Sequence, residues 1–150
     1  MAVRVNKARF SLSLGGDWEE RRSSDPEVTT FHSKNHGANL VISVMGLNAT
    51  LADTGRIAEK LIKLRTDSEV QVASETGVHT TLSQPRIVQQ PWGHAIAYYG
   101  VDAKGRLFNF SGMVTPKQSI SVYVESNKLS VEVLRELLEQ VLVKLKFDLT

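Results

Sequence analysis

The chain has 150 residues, 41% hydrophobic and 23% charged, with a formal net charge of +2. This length suits one domain, expected over 1–150, with a core that needs no metal or disulfide, and the basic residues are interleaved with acids rather than gathered on one face, which argues against nucleic-acid binding. The sequence holds no cysteine, which excludes disulfides, thiol catalysis and thiolate metal sites and suits a reducing cytoplasm.

No stretch approaches the roughly 20 apolar residues of a membrane span, and the opening MAVRVNKARFSLSL lacks the apolar segment and cleavage site of a signal peptide. The expectation is therefore a cytoplasmic protein without stable membrane association. Without secretion, the sequon Asn48-Ala49-Thr50 carries no meaning.

Phe10-Ser11-Leu12-Ser13-Leu14 alternates apolar and polar, the period of a strand. Gly15-Gly16-Asp17 turns the chain, and Trp18 is expected to plug the core of the first hairpin. Val28–His32 is β-branched and aromatic, hence strand-like. Ala38–Met45 forms the next strand, with Leu40, Ile42 and Val44 on one face. From Leu51 to Arg65 the period becomes helical through Ile57, Leu61 and Leu64. Thr50 and Asp53 stand in capping-box order, Glu59 and Lys63 form an i,i+4 pair, and Gly55 predicts a frayed first turn.

From Val70 to Glu125 the pattern is β again, with strands predicted over Val78–Leu82, Arg86–Gln89, His94–Val101, Arg106–Met113 and Ser119–Glu125. Pro85, Pro91 and Pro116 fall at their boundaries. Ser130 caps a final helix to about Lys146, with Val131, Leu134, Leu138, Val141, Leu142 and Leu145 along one side. This order predicts an α+β fold, an antiparallel β-sheet with two helices packed on one face.

Asp102-Ala103-Lys104-Gly105 reads as a four-residue hairpin loop with Gly105 at positive φ. That register sets Tyr99 opposite Phe108 and Ala97 opposite Phe110, on the core face with Val101. The other face then carries His94, Ile96, Tyr98, Leu107, Asn109 and Met113, joined by Val41, Ser43, Met45, Ser121 and Tyr123. Such an uncharged, apolar and aromatic surface is either covered, by the N-terminal hairpin or a dimer partner, or used for binding. Tyr98 and Tyr123 are the foremost binding candidates, each joining apolar area to a polar tip. Trp92, between Pro91 and Gly93, is placed at a strand entrance, either as an anchor or as a ligand contact.

Catalytic patterns are sparse. His32 and His36 are spaced for a metal on a helix, but they span a strand end and a turn without an acidic third ligand. There is no nucleophile elbow, dinucleotide fingerprint or phosphate loop. The acids Asp17, Glu19, Glu20, Asp25 and Glu27 surround Arg21 and Arg22, which neutralise them. No cofactor, metal or catalytic residue is expected, and an enzyme is disfavoured.

Several short blocks resemble PsbP-like proteins: Gly16-Asp17-Trp18 after the first strand, Phe31 with Asn39–Ser43, and Ala95–Tyr99 with the Leu107–Phe110 strand. The closing Val143–Phe147 is similar too. The resemblance covers most of the chain and implies an α/β/α sandwich without catalytic residues. Its bacterial branch includes DcrB-like proteins and the Eag chaperones of type VI secretion, though that branch usually opens Leu-Pro-Gly-Trp where this chain has Leu14-Gly15-Gly16-Asp17-Trp18. The chaperones hold hydrophobic segments of secreted effectors on an apolar sheet face.

The expected function is accordingly a protein-binding module, a secretion effector chaperone or adaptor, able to dimerise. An immunity protein that blocks a toxin is the near alternative. A small-ligand binder or enzyme with its pocket between sheet and helix is the distant one.

Overall fold

The computed structural model describes the backbone of residues 3–6 and all of residues 10–147, so the outermost positions of the expected domain lie outside the described residues. Eleven strands and two helices follow in order: β1 (Val3–Asn6), β2 (Phe10–Leu14), β3 (Trp18–Arg21), β4 (Val28–Ser33), β5 (Ala38–Gly46), α1 (Thr54–Thr76), β6 (Thr80–Leu82), β7 (Arg86–Gln90), β8 (Gly93–Asp102), β9 (Leu107–Val114), β10 (Gln118–Ser126), α2 (Val131–Lys144) and β11 (Leu145–Phe147). The main sheet is antiparallel and runs β3-β4-β5-β10-β9-β8-β6, with β7 pairing on β8 beside β6. A smaller sheet, β1-β2-β11, stands apart from it.

The α+β class and the antiparallel sheet with two helices are as expected. The helices, however, lie on opposite faces. On one, Phe31, Leu40, Ile42, Val44, Ile120, Val122 and Val124 pack against Leu134, Leu137, Leu138 and Val141 of α2 and against the apolar side of β2. On the other, Ile96, Tyr98, Phe108, Phe110 and Val114 pack against Ile57, Ala58, Leu61 and Ile62 of α1. The cause is visible in β9, where Phe108 and Phe110 point one way and Leu107 and Met113 the other. A strand apolar on both sides needs a layer on each, so the architecture is an α/β/α sandwich.

α1 outruns its predicted end at Arg65 by three turns. Residues 66–76 show no apolar stripe because the helix meets the sheet there through Arg65 and Glu69. Lys63–Asp67 and Gln71–Glu75 contacts one turn apart support this part of the helix, so Lys63 pairs with Asp67 and not with Glu59. Gly77, at φ +73°, ends it with its N–H on the Ala73 carbonyl.

The helix start also differs from expectation. Thr50 and Asp53 enclose a 3₁₀ turn rather than a capping box, with the Thr50 hydroxyl on the Asp53 carboxylate at 2.9 Å. The first turn is not loose, because Thr54 is fully buried. Gly55 is there for space: a Cβ at that position would stand 3.0 Å from the His94 ring.

α2 matches its prediction except at the end. Ser130 accepts from the Val133 N–H, and residues 145–147 leave the helix to pair with β2.

Candidate functional site

The hairpin between β8 and β9 decides which residues share a face. The Asp102 N–H donates to the Arg106 carbonyl at 2.9 Å. This pair leaves Ala103-Lys104-Gly105 as the loop, with Gly105 at φ +86°. It is the three-residue hairpin, a turn closed by a left-handed residue, rather than the four-residue one predicted. The Asp102 carboxylate stabilises it by accepting from the Lys104 and Arg106 N–H groups, each at 2.9 Å.

Lengthening one strand by a residue moves the register by one and exchanges the faces. Tyr98 therefore stands opposite Phe110 and Tyr99 opposite Asn109. The expected core trio of Ala97, Tyr99 and Val101 is exposed, and Tyr98 and Ile96 are buried at 3% and 1%.

The proposed binding set is thus divided. His94, Ile96 and Tyr98 lie on the α1 face beneath the helix. Val41, Ser43, Met45, Ser121 and Tyr123 share that face on β5 and β10, with Tyr123 packed against the α1 core. Leu107, Asn109 and Met113 lie on the α2 face, with Ala95, Ala97, Tyr99 and Val101 across from them. Trp92 is half-buried in the β7–β8 turn. The expected single open face does not exist.

Nor is the α1 face free of charge. Arg106 Nη1 donates to Glu125 Oε2 at 2.6 Å and to the Tyr123 hydroxyl at 2.5 Å. Its Nε donates to Asp102 at 3.1 Å, Glu69 of α1 stands 3.8 Å away, and its guanidinium lies over the Phe108 ring. Glu125 in turn accepts from Asn39 Nδ2, whose carbonyl oxygen faces His32 Nδ1 at 2.7 Å. Because the carboxylate only accepts, Asn39 must donate to it, so its oxygen accepts from a protonated His32 Nδ1.

Burial and the charge of Glu125 push the Tyr123 hydroxyl well above its ordinary range, against the pull of Arg106. Burial likewise raises Tyr98. Both remain protonated at neutral pH, Tyr123 donating to Glu125 and Tyr98 accepting from Arg65. Burial opposes the charge on Arg106, yet Tyr123, Glu125 and Asp102 more than offset it and raise its pKa. For Asp102, burial favours the neutral carboxyl, but the bonds from Arg106 and Lys104 prevail and hold it below 3.8.

Sequence reasoning missed this seam. It placed Arg65, Arg106 and Glu125 only as the ends of predicted elements and left Glu69 unassigned. The signal was the spacing of Arg65 and Glu69 on the same side of the helix as Leu61 and Ile62.

His94 is structural in the sense that its partner is fixed. The Thr54 hydroxyl gives its hydrogen to the Leu51 carbonyl at 2.8 Å, so it accepts from His94 Nδ1 at 2.8 Å.

His32 and His36 do not converge. His36 Nε2 meets Asp17 at 2.8 Å beside the Trp18 ring, and the buried Ser33 hydroxyl donates to the same carboxylate oxygen. Asp17 stands between hydroxyl and imidazole, so this is no nucleophile–base–orienter relay. Trp18 is buried in the main core as expected. Among the described residues, no three His, Cys, Asp or Glu side chains gather as a metal site, and no helix is long and apolar enough to cross a membrane. A cavity of about 120 Å³ lies between the β2–β3 turn and α2, lined by Asp17, Trp18, His36, Gln140 and Lys144.

The uncovered apolar surface lies elsewhere. α2 packs on β2, β9 and β10 and leaves β7 and β8 of its face open. There Tyr99 is 59% exposed, Val88 42% and Val101 39%. Val88 neighbours Ala95, Thr81 neighbours Val101, and Leu107, Asn109, Ser111 and Met113 complete the shelf across β9. The charge on these strand positions is Arg86, at the outer edge.

No family model matches the chain, and no curated protein matches it. Among solved structures, the chain is similar to cyanobacterial PsbP (CyanoP) from Synechocystis, with a TM-score of 0.68 at 13% identity over 98% of this chain and 92% of that one. A protein from Bacteroides thetaiotaomicron aligns with a TM-score of 0.49 at 17% identity, over 94% of this chain and 46% of that one. At such identities the likeness speaks for the fold alone, and the fold is PsbP-like.

Proposed function

We propose that the protein is a non-enzymatic binding module that seats an apolar, helix-forming segment of another protein on the uncovered shelf of its α2 face. One observation carries this reading: Tyr99, Val101 and Val88 are exposed on adjacent strands of the α2 face. An exposed apolar patch whose one strand-borne charge is Arg86 favours a partner over water, and Tyr99 adds a hydroxyl at its tip. The shelf is flanked by α2 through Leu107 and Met113, which join the α2 core. A partner helix laid beside α2 would extend that layer and bury its own apolar side, the helix-in-groove mode.

The finer role proposed is that of a cytoplasmic chaperone or adaptor for a secreted effector. The space between the sheet and α1, where a small-ligand pocket would have to form, is filled by Ile57, Ala58, Leu61 and Ile62. The strand positions of the shelf are apolar apart from Arg86, whereas a toxin-blocking surface relies on charge complementarity.

Site-specific photocrosslinking in the native host tests the proposal. A crosslinker at position 99 is expected to capture one protein through an apolar segment, and one at Val72, exposed on α1 of the opposite face, is not. Equal capture from both positions, or none from position 99, would overturn it.

A further inference from the structure

Arg65 carries a second inference, on the α1 face and independent of the shelf. Its guanidinium carbon lies over Phe110, 4.1 Å from the ring centroid, and 5.7 Å from that of Tyr123. Its Nε donates to the Tyr98 hydroxyl at 3.1 Å. The Nε is thereby engaged, and the two terminal nitrogens remain. The carboxylate placed to meet them, Glu69 one turn along α1, stands by Arg106 at 3.8 Å instead. Asp102 and Glu125 also serve Arg106. Among the described residues, no carboxylate lies within ion-pair distance of Arg65. A half-buried arginine, held over a ring and bonded through Nε, keeps its terminal donors unused.

The surroundings define what that fork would accept. α1 packs across β6, β7, β8 and β9, so the same face is left open over β4 and β5. Continuing the row from Phe110 through Tyr123, the next residues are Val41 and Thr30. Ser121 and Ser43 pair in the row beside it. These are short, uncharged side chains next to an aromatic ring.

We infer that Arg65 is a receptor for a carboxylate borne on an apolar or aromatic body, whose body rests on Tyr123 and Val41. A planar monoanion matches the guanidinium fork with two parallel hydrogen bonds. A phosphate is disfavoured, because Glu69 and Glu125 lie close and repel a second negative charge. A free carboxylic acid and the C-terminal carboxylate of a peptide offer the same chemistry.

The test is an NMR titration of the full chain with benzoate, with benzamide and inorganic phosphate as controls and N-acetyl-leucine as the peptide-like source. Benzoate is expected to shift the Arg65 side-chain N–H and the Val41 and Ser43 amides to saturation. Benzamide and phosphate are expected to leave them unmoved. Saturation by N-acetyl-leucine at the same resonances supports the site and points to a peptide terminus; saturation by benzoate alone supports it and points to a small acid.

Arg65→Lys keeps the charge but loses the fork, and is expected to weaken binding about tenfold, the worth of one charge-assisted bond. Glu69→Gln leaves Arg65 intact and removes a repelling charge, so it is expected to tighten binding even if the Arg65 variant fails to fold. Absence of saturable shifts with benzoate, equal saturation by phosphate, or unchanged affinity in Glu69→Gln would overturn the inference.

Discussion

Arg106 is held by Asp102, Glu125 and Tyr123 at once, with Glu69 of α1 at the edge of reach. Its value lies in what its loss would strand. Arg106→Met would leave Asp102 and Glu125 facing each other without a cation, in side chains that are mostly covered. Breaking a fully buried pair costs about 3–5 kcal/mol; with Arg106 one quarter exposed, we expect about 2–3 kcal/mol, read from urea unfolding. Acid should act through the same group. Because the folded pKa of Asp102 lies below 3.8, its stabilisation is complete above that pH and is lost as pH falls through the depressed value. Asp102→Asn should therefore flatten the acid limb of a stability–pH curve below about pH 4; an unchanged limb would show that other carboxylates govern it.

At the scale of elements, the sequence spoke clearly wherever one periodicity ran uninterrupted. Phe10–Leu14 and the Leu134, Leu138 and Val141 side of α2 are where the pattern put them. It failed where polar groups did the docking, as in α1 beyond Arg65, and where a turn could close in two ways. The choice between a four-residue loop and Ala103-Lys104-Gly105 rests on one backbone bond, Asp102 N–H to the Arg106 carbonyl, which no hydrophobic pattern reports. That single residue exchanged Tyr98 with Tyr99 and divided the candidate site between two faces.

The loop can be probed without disturbing packing. A Cβ on Gly105 would meet nothing within 4 Å, so Gly105→Ala isolates the cost of its left-handed backbone, about 1–2 kcal/mol. Ser130→Ala should cost about 1 kcal/mol by removing the acceptor for the Val133 N–H. Calorimetric melting of the two variants checks both values.

Across the whole molecule, the two helices cover the main sheet diagonally. α1 lies over β8 and β9 on one face, and α2 over β10 and its neighbours on the other. Two quarters stay uncovered. The one on the α1 face bears Thr30, Val41 and Ser43, next to the fork of Arg65. The one on the α2 face bears Tyr99, Val101 and Val88 and is the more apolar. The sequence pointed to an uncharged sheet face, from the low charge of β8 and β9, and left open whether that face is covered. It could not say which face, because β9 is apolar on both sides and register alone decides.

The measurement that bears most directly on the account is a paired affinity capture from the native host. One bait carries Tyr99→Ser with Val101→Ser; the control carries Val70→Ser with Val72→Ser, exposed on α1 of the other face; urea unfolding first establishes that both fold. The account predicts that the wild type and the control retain the same effector-like partner and that the shelf variant loses it. Retention by the shelf variant, or loss through the control alone, would contradict the placement of the binding surface on the α2 face.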